Sequence, residues 1–363
     1  METSELFWFF NLTIINKEKM DSLPENLKAA LKANRLLPLV GAGVSMSITK
    51  KGGKPAFPSW RELLEHAQQA LKAETKDNDA ELVRIFLEKN DYKSAAKFAY
   101  EGLKGNTWFK FVREELDIDF DAVDGSSLEL PKAIWGLSRQ LITLNYDKAL
   151  EWTCPNKENV CVIDNNSHAE LSAFQTGSLI HPSVWHLHGY ISNAAELILT
   201  PQGYSNLYPL SESSVIRYEA ALQVLRHLIL SRTLLFIGCS LDDVDLLAEL
   251  LNQQKIFSDG VGPHYVLVHK DHKDSIEKRI SSNNLNIQVI IFSEYGRPLV
   301  DLIEKIKDVN DVKEVDLAAL NVHPVVADEK FMKVALLSAN PVNDEQEYGV
   351  LYKELAKLGL LVS

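Results

Sequence analysis

Apolar positions along this chain follow two alternating rhythms. Compact β-type runs at 36–40, 140–144, 184–187, 233–237, 265–268 and 287–292 are separated by segments in which apolar residues recur with helical period. Helices are predicted at 24–34, 80–103, 107–116, 215–230, 242–252 and 299–306. One more begins after Ser59, because Glu62 completes a capping box and Trp60, Leu63, Leu64, Ala67 and Leu71 share one face. Strand and helix in alternation predict an α/β, Rossmann-like fold: a mostly parallel sheet with helices on both faces. The region of about 60–139 holds helices and no strand before 140, so it is predicted to be a helical insertion. Pro38 is the misfit, since it removes a ladder donor from an inner strand.

Three further segments flank this pattern. Residues 1–22 are expected to be an extension whose apolar stretches, 6–10 and 12–15, are too short to span a bilayer. Glu2 and Glu5 stand where a signal peptide keeps positive charge. Either this segment packs on a neighbouring subunit of a homo-oligomer, or translation begins at Met20. Residues 307–330 read as a charged linker. At 331–363 one strand and one helix open a second α/β unit, too small to bury a core alone, and expected to start a sensor or nucleotide-hydrolysing module.

Composition narrows the function classes. Thirty-eight Lys and Arg against 50 Asp and Glu leave a formal charge of −12, which repels nucleic acid and anionic lipid in the absence of a basic patch. No nucleic-acid or membrane partner is therefore expected. Three cysteines without C-x-x-C spacing fit a reducing, cytoplasmic setting and argue against structural zinc.

Small and polar residues cluster just after the predicted strands, at what would be the carboxyl edge of one parallel sheet, where α/β folds build ligand crevices. GAGVS at 41–45 lets backbone amides approach a diphosphate, or makes a tight turn with no ligand. Met46 stands where a dehydrogenase fingerprint wants glycine, which weakens a hydride-transfer reading. In LITLNYD, Asn145 and Asp147 can face one crevice, or close an Asx-turn. In VWHLHG, His186 and His188 point to one side of a strand. A metal site would need a third ligand, and none is nearby; His188, beside Gly189, is the better candidate for a base, and His186 for a buried, hydrogen-bonded residue. In FIGCSLDD, Gly238 makes a turn, Ser240 is a helix cap or a ligand donor, and Asp242 and Asp243 suit a helix's first turn.

GAGVS with FPSW, then TLNYD, HLHG and FIGCSLDD, resembles the sirtuin-like (Sir2-like) family in order and spacing across about 23–306. The resemblance is to the divergent bacterial branch of NAD-consuming antiphage effectors. It implies that NAD is the substrate, that Gly41, Ala42, Gly43 and Ser45 bind its diphosphate, and that Asn145 and Asp147 line the nicotinamide and ribose pocket. It further implies that His188 is the catalytic base, with Asn145 beside it, and that Gly238 and Ser240 line the adenosine side. Deacylase sirtuins usually carry a four-cysteine zinc ribbon after HG, whereas only Cys239 follows His188 here. No zinc ribbon and no metal are therefore expected, and the long helical insertion could cover the site. The function expected is NAD+ glycohydrolysis, releasing nicotinamide and ADP-ribose, gated by oligomerisation, a C-terminal module or a phage-derived trigger. A deacylase or ADP-ribosyltransferase acting on protein, and a non-catalytic NAD or ADP-ribose sensor, are the alternatives.

Overall fold

The computed structural model describes residues 23–209, 216–257 and 260–309. The expectations for 1–22 and for the chain beyond 309, including the second α/β unit, lie outside the described residues. The sheet has seven strands, β1 (Leu36–Val40), β2 (Gln140–Thr143), β3 (Cys161–Ile163), β4 (Ser183–His186), β5 (Thr233–Ile237), β6 (His264–His269) and β7 (Ile287–Phe292), in the order β3-β4-β2-β1-β5-β6-β7. Every pairing is parallel. All strands therefore point their carboxyl ends to one edge, with β1 central where the connections reverse direction.

Residue parity sorts the side chains onto two apolar faces. Leu37, Leu39, Ile142, Trp185, Leu234, Phe236 and Val266 pack against α9 (His168–Thr176), α11 (Glu219–Ser231), α12 (Val244–Phe257) and α13 (Lys273–Ser282). Leu36, Val40, Leu141, Val184, Leu235, Ile237 and Tyr265 pack against α1 (Glu25–Lys32), α7 (Glu129–Ile134) and α14 (Arg297–Asp308). Burial on both faces is why the strands read as continuous apolar runs. It also accommodates Pro38. Gly41 N–H donates to Ile237 and Leu144 N–H donates to Val40, so odd residues of β1 turn toward β5 and even ones toward β2. The missing donor faces β2 at the start of a ladder whose registered pairs are Leu39 with Ile142 and Val40 with Thr143.

Four helices, α3 (Trp60–Ala73), α4 (Asp77–Glu88), α5 (Tyr92–Leu103) and α6 (Gly105–Leu116), close around a separate core that includes Leu64, Leu71, Val83, Ala96 and Val112. The predicted capping box is present: Glu62 N–H donates to Ser59 Oγ at 3.2 Å and Ser59 N–H to Glu62 Oε2 at 2.7 Å. The continuous helix expected over 80–103 is two helices. Asn90 takes a left-handed φ of +57°, and Asp91 accepts from Ser94 N–H at 3.1 Å, restarting the helix. Past Leu116 the chain returns to the sheet, where Leu130, Ile134 and Trp135 join the α7 face.

Candidate active site

The loops after β1 and β5 clasp one another. Gly41 N–H donates to Ile237 O and Gly43 N–H to Gly238 O, each at 2.9 Å. A Cβ on Gly41 would lie 2.6 Å from Gly238 O, and one on Gly238, whose φ is +67°, would lie 2.7 Å from Val44 N. Glycine is thus demanded by this close approach. Two of the amides that the sequence reading set beside a diphosphate are engaged within the chain.

Ser45, on the short helix α2 (Ala42–Met46), meets the loop that follows β2. Asn145 Nδ2 donates to Gly41 O at 3.0 Å and to Ser45 Oγ at 2.8 Å, and Ser45 O–H donates to Asp147 Oδ2 at 2.7 Å. Asp147 Oδ1 accepts from Ala149 N–H at 3.0 Å, so the Asx-turn and the long-range bond coexist on one carboxylate. Burial pushes the Asp147 carboxyl above its ordinary range, against the pull of the Ser45 hydrogen bond. Both Nδ2 hydrogens of Asn145 are spent on these acceptors. The group left to meet a water or a ribose hydroxyl is the carboxamide oxygen.

The two histidines occupy different surroundings. His186 is fully buried, with Nδ1 2.8 Å from Asn145 O and Nε2 2.7 Å from Glu151 Oε1. His188, past the end of β4, is 3% exposed. Its Nε2 lies 3.2 Å from Tyr208 Oη and 3.4 Å from Asp243 Oδ2. Burial pushes this imidazole below its ordinary value despite the opposing pull of Asp243. A depressed histidine is neutral near pH 7, as a proton acceptor must be. Gly189 turns the chain at φ +94°, and a Cβ there would meet Glu196 O at 2.8 Å.

The insertion reaches this base through aromatic contacts. The Tyr204 ring on α10 (Pro201–Leu207) stands 5.4 Å from the His188 ring and stacks on Trp60 at 6.5 Å. Lys93 Nζ sits 3.6 Å from the Tyr204 ring centroid and pairs with Asp245.

Helix α12 starts at Val244, later than the sequence pattern suggests. Its cap is Asp243, which accepts from Asp245 N–H and Leu246 N–H at 3.1 and 3.2 Å. Ser240 is exposed, and its carbonyl accepts from Arg279. Ser240 therefore does not supply the cap; the side chain that does also faces His188.

A cavity of about 450 Å³ opens on the other side of the clasp, lined by Gly43, Gly238, Ser240, His269, Arg279 and Tyr295 among others. His269 and Tyr295 stack at 4.6 Å with 10° between their planes. Asn145 and His188 do not line it. The candidates thus form two groups: Ser45, Asp147 and His188, buried, with the half-buried Asn145, at β1, β2 and β4, and Gly43, Gly238 and Ser240 at the cavity beside β5 to β7. Sequence reasoning gave Asp243 only a helix-start role and missed Glu151, His269 and Tyr295. The last two follow β-type runs, so the carboxyl-edge rule could have found them.

Residues 139–290 match the family model of the SIR2-like domain. The match spans the chain from β2 into β7, including Asn145, Asp147, His188, Gly238 and Ser240, and supports the Sir2-like resemblance over that stretch. Among the described residues, no group of three or more His, Cys, Asp or Glu side chains could hold a metal ion. Among the same residues, no helix is long and apolar enough to cross a membrane.

Proposed function

We propose that this chain is an NAD+ glycohydrolase, cleaving the nicotinamide–ribose bond, and a gated effector that depletes NAD in bacterial antiphage defence. The observation carrying this reading is the hydrogen-bond chain that runs from the half-buried Asn145 through Ser45 to the buried Asp147. It lies at the ends of β1 and β2, with His188 following the adjacent strand β4.

The reaction asks little of a protein. Nicotinamide is joined to ribose through a cationic nitrogen and departs neutral with the bonding electron pair, so no general acid is required. Water oxygen then bonds to the electron-poor sugar carbon, and one water proton passes to His188 and on to solvent. NAD+ and water give nicotinamide, ADP-ribose and one proton. Asn145 Oδ1 would orient the water, and the tyrosines around His188 keep the surroundings dry, where fixed dipoles act strongly. The burial of His188 beneath Tyr204 supports gating: a base so covered must be uncovered before it meets substrate. Assembly into an oligomer, or a module C-terminal to the described residues, would supply the trigger.

The test is incubation of pure protein with NAD, followed by chromatography. Nicotinamide and ADP-ribose are expected from the wild type, at a basal rate that the trigger would raise, and not from His188→Ala. Cleavage only with an acylated peptide, ADP-ribose transferred to protein, or tight binding without turnover would replace this reading with the deacylase, transferase or sensor.

A further inference from the structure

The Glu151–His186 pair lies behind Asn145, and the reaction outlined above leaves it unused. Glu151 is on α8 (Ala149–Thr153), two residues beyond the Asx-turn of Asp147. His186 Nδ1 faces a backbone carbonyl, which only accepts, so Nδ1 must carry a hydrogen. His186 Nε2 faces Glu151 Oε1 at 2.7 Å, and one proton must lie between them. Glu151 Oε2 is buried without a hydrogen-bond partner, so this proton is what compensates the carboxylate. The groups around the ring are Glu151, Asp147, the Asn145 carbonyl and Tyr190, whose ring lies 4.5 Å away and tilted by 46°. Burial pushes His186 down, but the Glu151 carboxylate and its hydrogen bond outweigh that, and the ring ends above its ordinary value.

We infer that His186 and Glu151 are positioning residues for NAD cleavage: a buried imidazolium–carboxylate pair that grips the Asn145 carbonyl and so fixes where the Asn145 side chain stands. The inference rests on the NAD-cleaving reading. A charged donor makes a shorter, stronger hydrogen bond than a neutral one. The grip acts on the backbone of the residue whose side chain would orient water, where a misplacement of about 1 Å costs ~10²-fold in rate.

The experiment is steady-state NAD hydrolysis with thermal melting of each variant. His186→Ala is expected to lower kcat by ~10- to 100-fold with KM nearly unchanged. His186→Asn, whose amide can replace the Nδ1–H donor, should recover most of that loss. If His186→Ala fails to fold, Glu151→Gln takes its place: it preserves shape, strips the shared proton and should lower kcat by roughly threefold to tenfold. ¹⁵N NMR of the wild-type imidazole should show Nδ1 protonated wherever the fold persists. Wild-type kcat in a folded His186→Ala or Glu151→Gln, or an unprotonated Nδ1, overturns the inference while NAD cleavage stands. A wild type that releases no nicotinamide overturns both.

Discussion

The two halves of the carboxyl edge solve opposite problems. Around β1, β2 and β4 buried and half-buried polar side chains bond to one another, as with Asn145, Ser45 and Asp147. Around β5 to β7 the edge opens into a cavity of about 450 Å³. One half is arranged before any ligand arrives; the other has room to receive one. In the proposed reaction the first half performs chemistry and the second holds the rest of the dinucleotide, so damage to each should register in different kinetic constants.

The largest effects belong to the closed half. His188→Ala and Asn145→Ala are each expected to lower kcat for NAD by at least ~10²-fold, the loss of a general base or a positioned dipole. Binding of ADP-ribose, followed by calorimetry, should change far less. Equal losses of kcat and affinity would mean that the halves are not separate. The pH profile sharpens this. A base lowered by burial loses activity only as pH falls through its depressed value, so the acid limb of kcat should lie below ~6.5, the ordinary histidine value. A limb above that would remove His188 as the base.

The open half should answer in KM. Tyr295 is 62% exposed yet stacks on His269 at the cavity. Tyr295→Ala removes an aromatic face worth ~1–3 kcal/mol to a stacked base, and is expected to raise KM for NAD about tenfold while sparing kcat. A fall in kcat alone would place this cavity outside the substrate's path.

How far the sequence shows this division depends on the range of each interaction. The strand runs and their two-faced burial were legible because parity and period are local. Strand β3 was not: Cys161–Ile163 is three residues at the sheet edge, too short to form a pattern. The glycines at 41, 43 and 238 were visible, but the neighbour that requires them was not, since each motif's demand is imposed by the other loop. Asp243 looked like a helix-start carboxylate, and it is one; its second oxygen acquires meaning only when the fold brings His188 alongside. Glu151 carried no local signal, because its partner lies 35 residues away on β4, beyond β3 and α9.

The smallest expected effect concerns the cover over the closed half. Lys93 belongs to the insertion, yet its ammonium lies over Tyr204 and pairs with Asp245, tying α5 to the ring that shields His188. A cation over an aromatic face contributes ~0.5–2 kcal/mol. Lys93→Met keeps the length and discards the charge, so if Tyr204 must move to admit substrate, kcat/KM for NAD should rise about twofold to fivefold, the factor equivalent to the lower half of that range, ~0.5–1 kcal/mol, which suits a partly exposed cation. A second readout separates this from general loosening. The Lys93 charge depresses His188 while Asp243 and Asp245 pull it up, so removing the cation should move the acid limb to higher pH. A variant that gains activity with the limb unmoved would have loosened the cover without Lys93 acting on the base. One that loses activity would show that the cover holds His188 in place rather than hiding it.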